Sequence, residues 1–360
     1  MDRADRGRLT RLPSAAGAAL AILVACAPNE GGEGAGAIAE ALDGSVEFDD
    51  LFVRERVVAL EETATALSVT PFVTVEPTGG IIVADPSEAQ VRVYDRDGRI
   101  QQTFGSRGDG PGEFVAVVRA MRRPGTEDIL VLDMVRGVLS FSGSGEYLGP
   151  LADTLFQYYQ EMIPFGRLHI LVTGRRAGAG SPSLAVMDAE DGRIVASGFV
   201  RPSPPSAEVL QGSDWVKAEV GGGAVAIIRA LSDTVYLVNA ADPTEPPNAV
   251  PIPMAHPFEP LPPPEQLMRL ARRELSERLV RVHDVFWLDQ LLIVQIIRRR
   301  DQVDHWSLVG MSRVGERRFE VEDGPRLLDV RDGKLLFVDP GALVPNRFLW
   351  VAPRCELLGC

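Results

Sequence analysis

Gly80–Phe114 reads GIIVADPSEAQVRVYDRDGRIQQTFGSRGDGPGEF. Three short β-prone runs, Ile81–Asp85, Val91–Asp95 and Ile100–Phe104, are set off by a polar loop and by Asp97-Gly98. Short runs bounded by Gly, Pro and Asp are strands, and Asp-Gly takes the positive φ of a tight hairpin turn. The first run is apolar at consecutive positions, not alternate ones, so both of its faces are covered. Strands covered on both faces are expected where twisted sheets stack radially, one against the next.

The same pairing recurs along the chain. First members are IIVAD 81–85, ILVLD 129–133, HILVT 169–173, AVAII 224–228, LLIVQ 291–295 and LLFVD 335–339. Second members are VRVYD 91–95, VLSFS 138–142, LAVMD 184–188, TVYLV 234–238, WSLVG 306–310 and RFLWV 347–351. Ser144-Gly145 and Asp191-Gly192 lead into outer strands over 147–151 and 194–198, as Asp97-Gly98 does in the first unit. Inner strands are expected over 71–75, 114–119, 160–164, 215–219, 285–288 and 326–330. Six units of four strands result, with one strand missing, because only nine residues follow Val351. Arg54–Leu60 (RERVVAL) is a strand upstream with no unit of its own. The expected fold is therefore all-β: a six-bladed β-propeller of four-stranded blades, its last blade completed by the N-terminal strand, which leaves no open edge. One helix, Pro262–Val280, interrupts the pattern between blades 4 and 5, with Leu267, Leu270, Ala271, Leu275 and Leu279 at helical spacing. It is expected as a lid or as an insertion packed on the propeller.

Gly80–Phe114 resembles an NHL-type propeller repeat: glycine, apolar strand, Asp, loop, second strand, Asp-Gly turn, then a Gly-rich stretch ending in Gly-Glu-Phe. The whole chain is similar to the six-bladed β-propeller lipoproteins of environmental bacteria. The resemblance implies the same ring and an extracytoplasmic, membrane-anchored life.

The N-terminus carries an address. Arg3, Arg6, Arg8 and Arg11 precede an apolar stretch, Leu12–Ala25, that ends in Leu23-Val24-Ala25-Cys26. This resembles the lipobox of bacterial lipoproteins, whose Cys thiol takes up the diacylglyceryl group and whose small neighbours admit the signal peptidase. Residues 1–25 are read as a signal peptide, Cys26 as the lipidated residue and 26–49, rich in Gly, Ala and Glu, as a flexible tether. The propeller occupies 50–354 and a short tail 355–360. Ala27 directly after Cys26 favours sorting to the periplasmic side of an outer membrane. Cys355 and Cys360 remain as a pair expected to form a disulfide outside the cytoplasm.

Composition narrows the function. There are 37 basic and 50 acidic residues, a formal charge of −13, and no basic stripe, so nucleic acid is not an expected partner. No apolar run reaches 18 residues, so the expected membrane contact is the lipid anchor alone. Gly105–Gly112 (GSRGDGPG) lies between strands and lacks the Gly-Lys-Ser/Thr of a phosphate loop, so it reads as an inter-blade turn. No Gly-x-Ser-x-Gly nucleophile elbow occurs. Six-bladed lactonases hold calcium with channel Asn, Asp and Glu side chains, but Asn occurs here only at 29, 239, 248 and 346.

The expected function is a monomeric, non-enzymatic binding or scaffold module for a protein or an anionic glycan, with no cofactor. The binding face is expected where inter-blade loops converge, carrying Arg107, Asp109, Arg136, Arg175, Arg176, His283, Arg298, Arg299, Arg300 and His305. The alternative is a metal-dependent hydrolase or lyase of the propeller lactonase or peptidylglycine-lyase type. Its weak ligand candidates are His256, His283 and His305, three histidines with an open fourth position.

Overall fold

The computed structural model describes residues 45–62, 72–151, 159–173, 182–199, 216–255, 263–267, 280–340 and 346–358. They form six four-stranded antiparallel sheets in chain order. Blade 1 holds β2 (Phe72–Val75), β3 (Ile81–Asp85), β4 (Gln90–Tyr94) and β5 (Ile100–Phe104). Blade 2 holds β6 (Val117–Arg122), β7 (Ile129–Asp133), β8 (Gly137–Phe141) and β9 (Tyr147–Pro150). Blade 3 holds β10 (Tyr159–Phe165), β11 (Leu168–Thr173), β12 (Leu184–Asp188) and β13 (Ile194–Gly198). Blade 4 holds β14 (Val216–Gly221), β15 (Ala224–Arg229), β16 (Thr234–Asn239) and β17 (Asn248–Pro251). Blade 5 holds β18 (Arg281–Leu288), β19 (Leu291–Arg300), β20 (Val303–Met311) and β21 (Arg317–Gly324). Blade 6 runs β22 (Leu327–Arg331), β23 (Lys334–Val338), β24 (Arg347–Pro353) and, outermost, β1 (Phe52–Ala59).

The expected closure is present. β1 pairs antiparallel with β24 from Phe52 opposite Pro353 to Ala59 opposite Arg347. A segment near one end of the chain thus supplies the hydrogen bonds that the last blade would otherwise leave unmade.

The core is six wedges, one between each pair of neighbouring blades. In β3, Ile81 and Val83 pack towards blade 6, while Ile82 and Ala84 pack towards blade 2. In β7, Ile129 and Val131 face blade 1, and Leu130 and Leu132 face blade 3. Successive side chains of a strand point to opposite faces, so a strand inside such a stack is apolar at every position. Each fully buried Ile, Leu or Val contributes roughly 1.5–3 kcal/mol relative to exposure.

The Asp that ends β3 and β7 closes the loop that follows. Asp133, fully buried, accepts from the amides of Val115 and Ala116 through one oxygen and of Val135 and Arg136 through the other. Asp85 accepts in the same way from Ser87 and Glu88. Asp133 also explains where β6 begins. The sequence places that strand at 114–119, but Val115 and Ala116 give their amides to Asp133, so the ladder starts at Val117.

Blade 5 departs from the sequence reading. Arg298, Arg299 and Arg300, expected in a loop, are the last residues of β19 and stand opposite His305, Asp304 and Val303 of β20. Asp301 and Gln302 both take positive φ, 50° and 65°, which is the geometry of a two-residue hairpin turn. The two strands therefore extend past the blade as a long arm. Of the expected helix 262–280, Pro264–Leu267 is helical and the rest lies largely outside the described residues.

Candidate functional site

The inner strands, β2, β6, β10, β14, β18 and β22, surround a central channel. At the end where the inter-blade loops lie, the channel opens into a cavity of about 330 Å³ lined by residues of all six blades. Phe72, Val73, Val118, Met134, Val216, Leu327 and Leu328 give it an apolar collar, into which Arg119, Gln160, Glu161, Lys217, His283, Asp284 and Arg326 project.

A repeated backbone device builds this wall. In blades 2, 3, 5 and 6 the inner strand slips by one residue against its neighbour: between Val117 and Arg119, Tyr159 and Glu161, Val282 and Asp284, and Leu327 and Asp329. The skipped residues, Val118, Gln160, His283 and Leu328, all line the cavity. Each is followed by a charged residue: Arg119, Glu161, Asp284 and Asp329. A bulge re-aims side chains and recurs beside functional sites; here four at one level gather charge in a channel.

The charges are unequally engaged. Lys217, mostly buried, forms an ion pair with Glu161 at 2.5 Å, lies 4.0 Å from Asp284 and sits 4.8 Å from the centre of the Phe72 ring. Asp329 accepts from Val75 N–H at 2.6 Å and Val330 N–H at 2.8 Å. Asp284 and Glu219 accept only from the amide of the next residue, Val285 at 3.0 Å and Val220 at 3.2 Å. Among the described residues the guanidinium of Arg119 makes no hydrogen bond and no ion pair, and its Nε is buried without a partner.

Burial raises the carboxyls. Glu219 is pushed up to about 8 by burial and by Asp329, so it is protonated at neutral pH. Asp284 is raised to about 6 by burial, against the pull of Lys217. Burial likewise holds Asp329 above its ordinary value. For Arg119 burial acts against the charge, but Glu161, Asp329, Glu219 and Asp284 outweigh it and hold the guanidinium firmly protonated. Burial, then Arg326, Lys217 and Arg281, keep His283 neutral, with its ring edge-on to Trp306 at 4.7 Å.

The loop residues singled out in the sequence have varied fates. Arg107 donates to the carbonyls of Pro86 and Ser87, and Arg136 to those of Gly110 and Glu113, so both brace loops. Asp109 is exposed on the same inter-blade loop. Arg299 lies 3.8 Å from Asp304, and His305 Nδ1 lies 2.8 Å from Asp323 Oδ1. Only His283 among these residues lines the cavity. Among the described residues no group of three His, Cys, Asp or Glu is placed to hold a metal ion. Cys26, Arg175, Arg176, His256 and Cys360 lie outside the described residues. Cys355 is disulfide-bonded.

The channel charges were missed, although four of the six expected inner strands set charged residues among apolar ones: Arg119, Glu161, Lys217 with Glu219, and Arg326 with Asp329. On the sequence reading the opposite face offers mostly tight Asp-Gly and Gly-Gly turns with little side-chain reach. It instead holds a cavity of about 450 Å³ at the seam of blades 6 and 1, lined among others by Arg56, Arg331 and Trp350.

Residues 38–157 match the family DUF5128, described as a six-bladed β-propeller. Two crystal structures share the fold over most of the chain. One is a protein of Bacteroides fragilis described as exported, with 11% identity, a TM-score of 0.57, and 86% of this chain and 98% of that one covered. The other is a member of the DUF4221 family from Bacteroides vulgatus, with 12% identity, a TM-score of 0.58, and 84% and 97% covered. No curated protein matches the chain. Likeness at this identity carries the architecture and nothing finer: the chain is a six-bladed β-propeller.

Proposed function

We propose that this protein is an extracytoplasmic binding module, anchored through a lipid on Cys26, that receives part of its ligand or partner in the channel mouth. The observation that carries the reading is the cavity itself: an apolar collar with charged side chains from successive inner strands converging inside it. Concave sites with a few convergent polar groups, held on rigid strands, are where small ligands and chain termini are bound. The arm bearing Arg298, Arg299 and Arg300 rises beside this opening and suits a protein or an anionic glycan. Export is supported by the signal-like N-terminus and by the name of the Bacteroides fragilis protein of the same fold, which designates it an exported protein.

The test is recovery of the partner from native membranes by the lipidated protein. Met134→Trp, which plugs the mouth, is expected to abolish recovery, and Val314→Trp, on an exposed turn of the opposite face, to leave it intact. The reverse pattern overturns the reading.

A further inference from the structure

Two groups in the channel mouth stand out by what they do not bind. Lys217 is neutralised by Glu161, and Asp329 is satisfied by two backbone amides. Arg119 presents a donor-only guanidinium that makes no hydrogen bond among the described residues. Among the described residues Asp284 presents a carboxylate that accepts only from its own neighbour's amide and stands 4.0 Å from an already paired ammonium. A cation without a hydrogen bond among the described residues and an anion with one backbone bond thus share the wall of a cavity whose collar is apolar. A buried donor without a partner is unfavourable, and a guanidinium's natural complement is a carboxylate held by its fork of N–H groups.

A purely anionic ligand would meet Arg119 but also the surrounding carboxylates. A purely cationic one would meet Asp284 but also Arg119 and Lys217. A ligand carrying both charges close together, with an apolar remainder, meets each wall with its complement. We propose, building on the channel-mouth reading above, that the site takes a small zwitterion of the α-amino-acid class with an apolar side chain, its carboxylate on Arg119 and its ammonium on Asp284. The side chain then lies against the collar formed by Val118, Val216 and Leu327. A cavity of about 330 Å³ accommodates a ligand of that size. Because burial holds Asp284 near 6, its charge, and with it the hold on an ammonium, is lost as pH falls below that value.

The experiment is calorimetric titration of the full mature protein with three matched probes: L-phenylalanine, 2-phenylethylamine and 3-phenylpropanoate. The zwitterion is expected to bind saturably and each single-charge analogue at least about tenfold more weakly, the effect of roughly one lost charge-assisted contact. Arg119→Gln should erase the advantage of phenylalanine over the amine and keep its advantage over the acid. Asp284→Asn should do the converse. Equal binding of the three probes by the unaltered protein, or no saturable binding of any, overturns the proposal whatever the variants do. Failure here is separable from failure of the channel-mouth reading, since a Met134→Trp plug that still blocks partner recovery leaves that reading standing and removes only the zwitterion.

Discussion

The amide of Val75 in the first blade donates a 2.6 Å hydrogen bond to the carboxylate of Asp329 in the last, 254 residues away. Arg331 returns a bond to the carbonyl of Val75 at 3.0 Å. The ring is therefore fastened twice, at its rim by β1 on β24 and at its inner wall by this exchange across blades 6 and 1. The inner fastening belongs to the same strands that carry the channel charges, so the fold's closure and the candidate site share residues.

Deleting residues 50–62 should unfold the domain cooperatively at a much lower temperature, because it exposes the edge of β24 and opens the wedge between blades 6 and 1. Deleting residues 27–44 should leave melting unchanged. Differential scanning calorimetry of the two truncations checks this, and equal melting contradicts the closure.

Asp133→Ala removes the acceptor of four backbone amides in a fully buried place. Each stranded amide costs about 1–3 kcal/mol, so a loss on the order of 3 kcal/mol is expected after partial rearrangement. Asp109→Ala, exposed on the loop above, should change stability by less than about 0.5 kcal/mol. Urea unfolding of both variants reads the difference.

Most of the fold was legible because Ile81–Ala84 and Ile129–Leu132 are apolar at every position, as strands buried on both faces are, while Asp97-Gly98 and Ser144-Gly145 mark hairpins where a parallel sheet would need crossover helices. The start of β6 was not, because the rule of alternation cannot see a carboxylate from β7 taking the amides of Val115 and Ala116. The arm of blade 5 was hidden for another reason. Arg298–Arg300 read as loop residues of the binding face, while the turn is made by Asp301 and Gln302, neither of them glycine. Loop arginines drew attention as binding groups, yet Arg107 and Arg136 spend their donors on carbonyls. The charges inside the channel become a site only through bulges that place Arg119, Glu161, Asp284 and Asp329 at one level, and a bulge leaves no mark in the sequence.

Stability should fall as pH rises through the mildly acidic and neutral range. Glu219 has a folded-state value near 8, raised first by burial, against 4.5 ordinarily. The folded chain therefore keeps a proton that the unfolded chain gives up, and this contribution is fully present below about 4.5 and lost as pH climbs to 8. Asp284 acts in the same direction between 3.8 and about 6. Glu219→Gln should flatten the decline, and its melting temperature should exceed the parent's at pH 8.5 and not at pH 4.5. A variant that tracks the parent at both values would show that Glu219 is not desolvated.

Cys26→Ser should yield protein that is neither acylated nor retained in the membrane fraction. Intact mass of the membrane-extracted parent should show residues 1–25 removed and acyl mass on Cys26. Equal membrane retention of the variant contradicts lipidation.

The account turns on the channel mouth being the surface that meets the ligand or partner. A photo-crosslinking residue placed at Met134, on the rim of the cavity, and separately at Val314, on an exposed turn of the opposite face, tests this in intact membranes. The account predicts a discrete crosslinked product from position 134 that disappears when Arg119 is replaced by Gln, and none from position 314. A product from position 314 with none from 134 would contradict it.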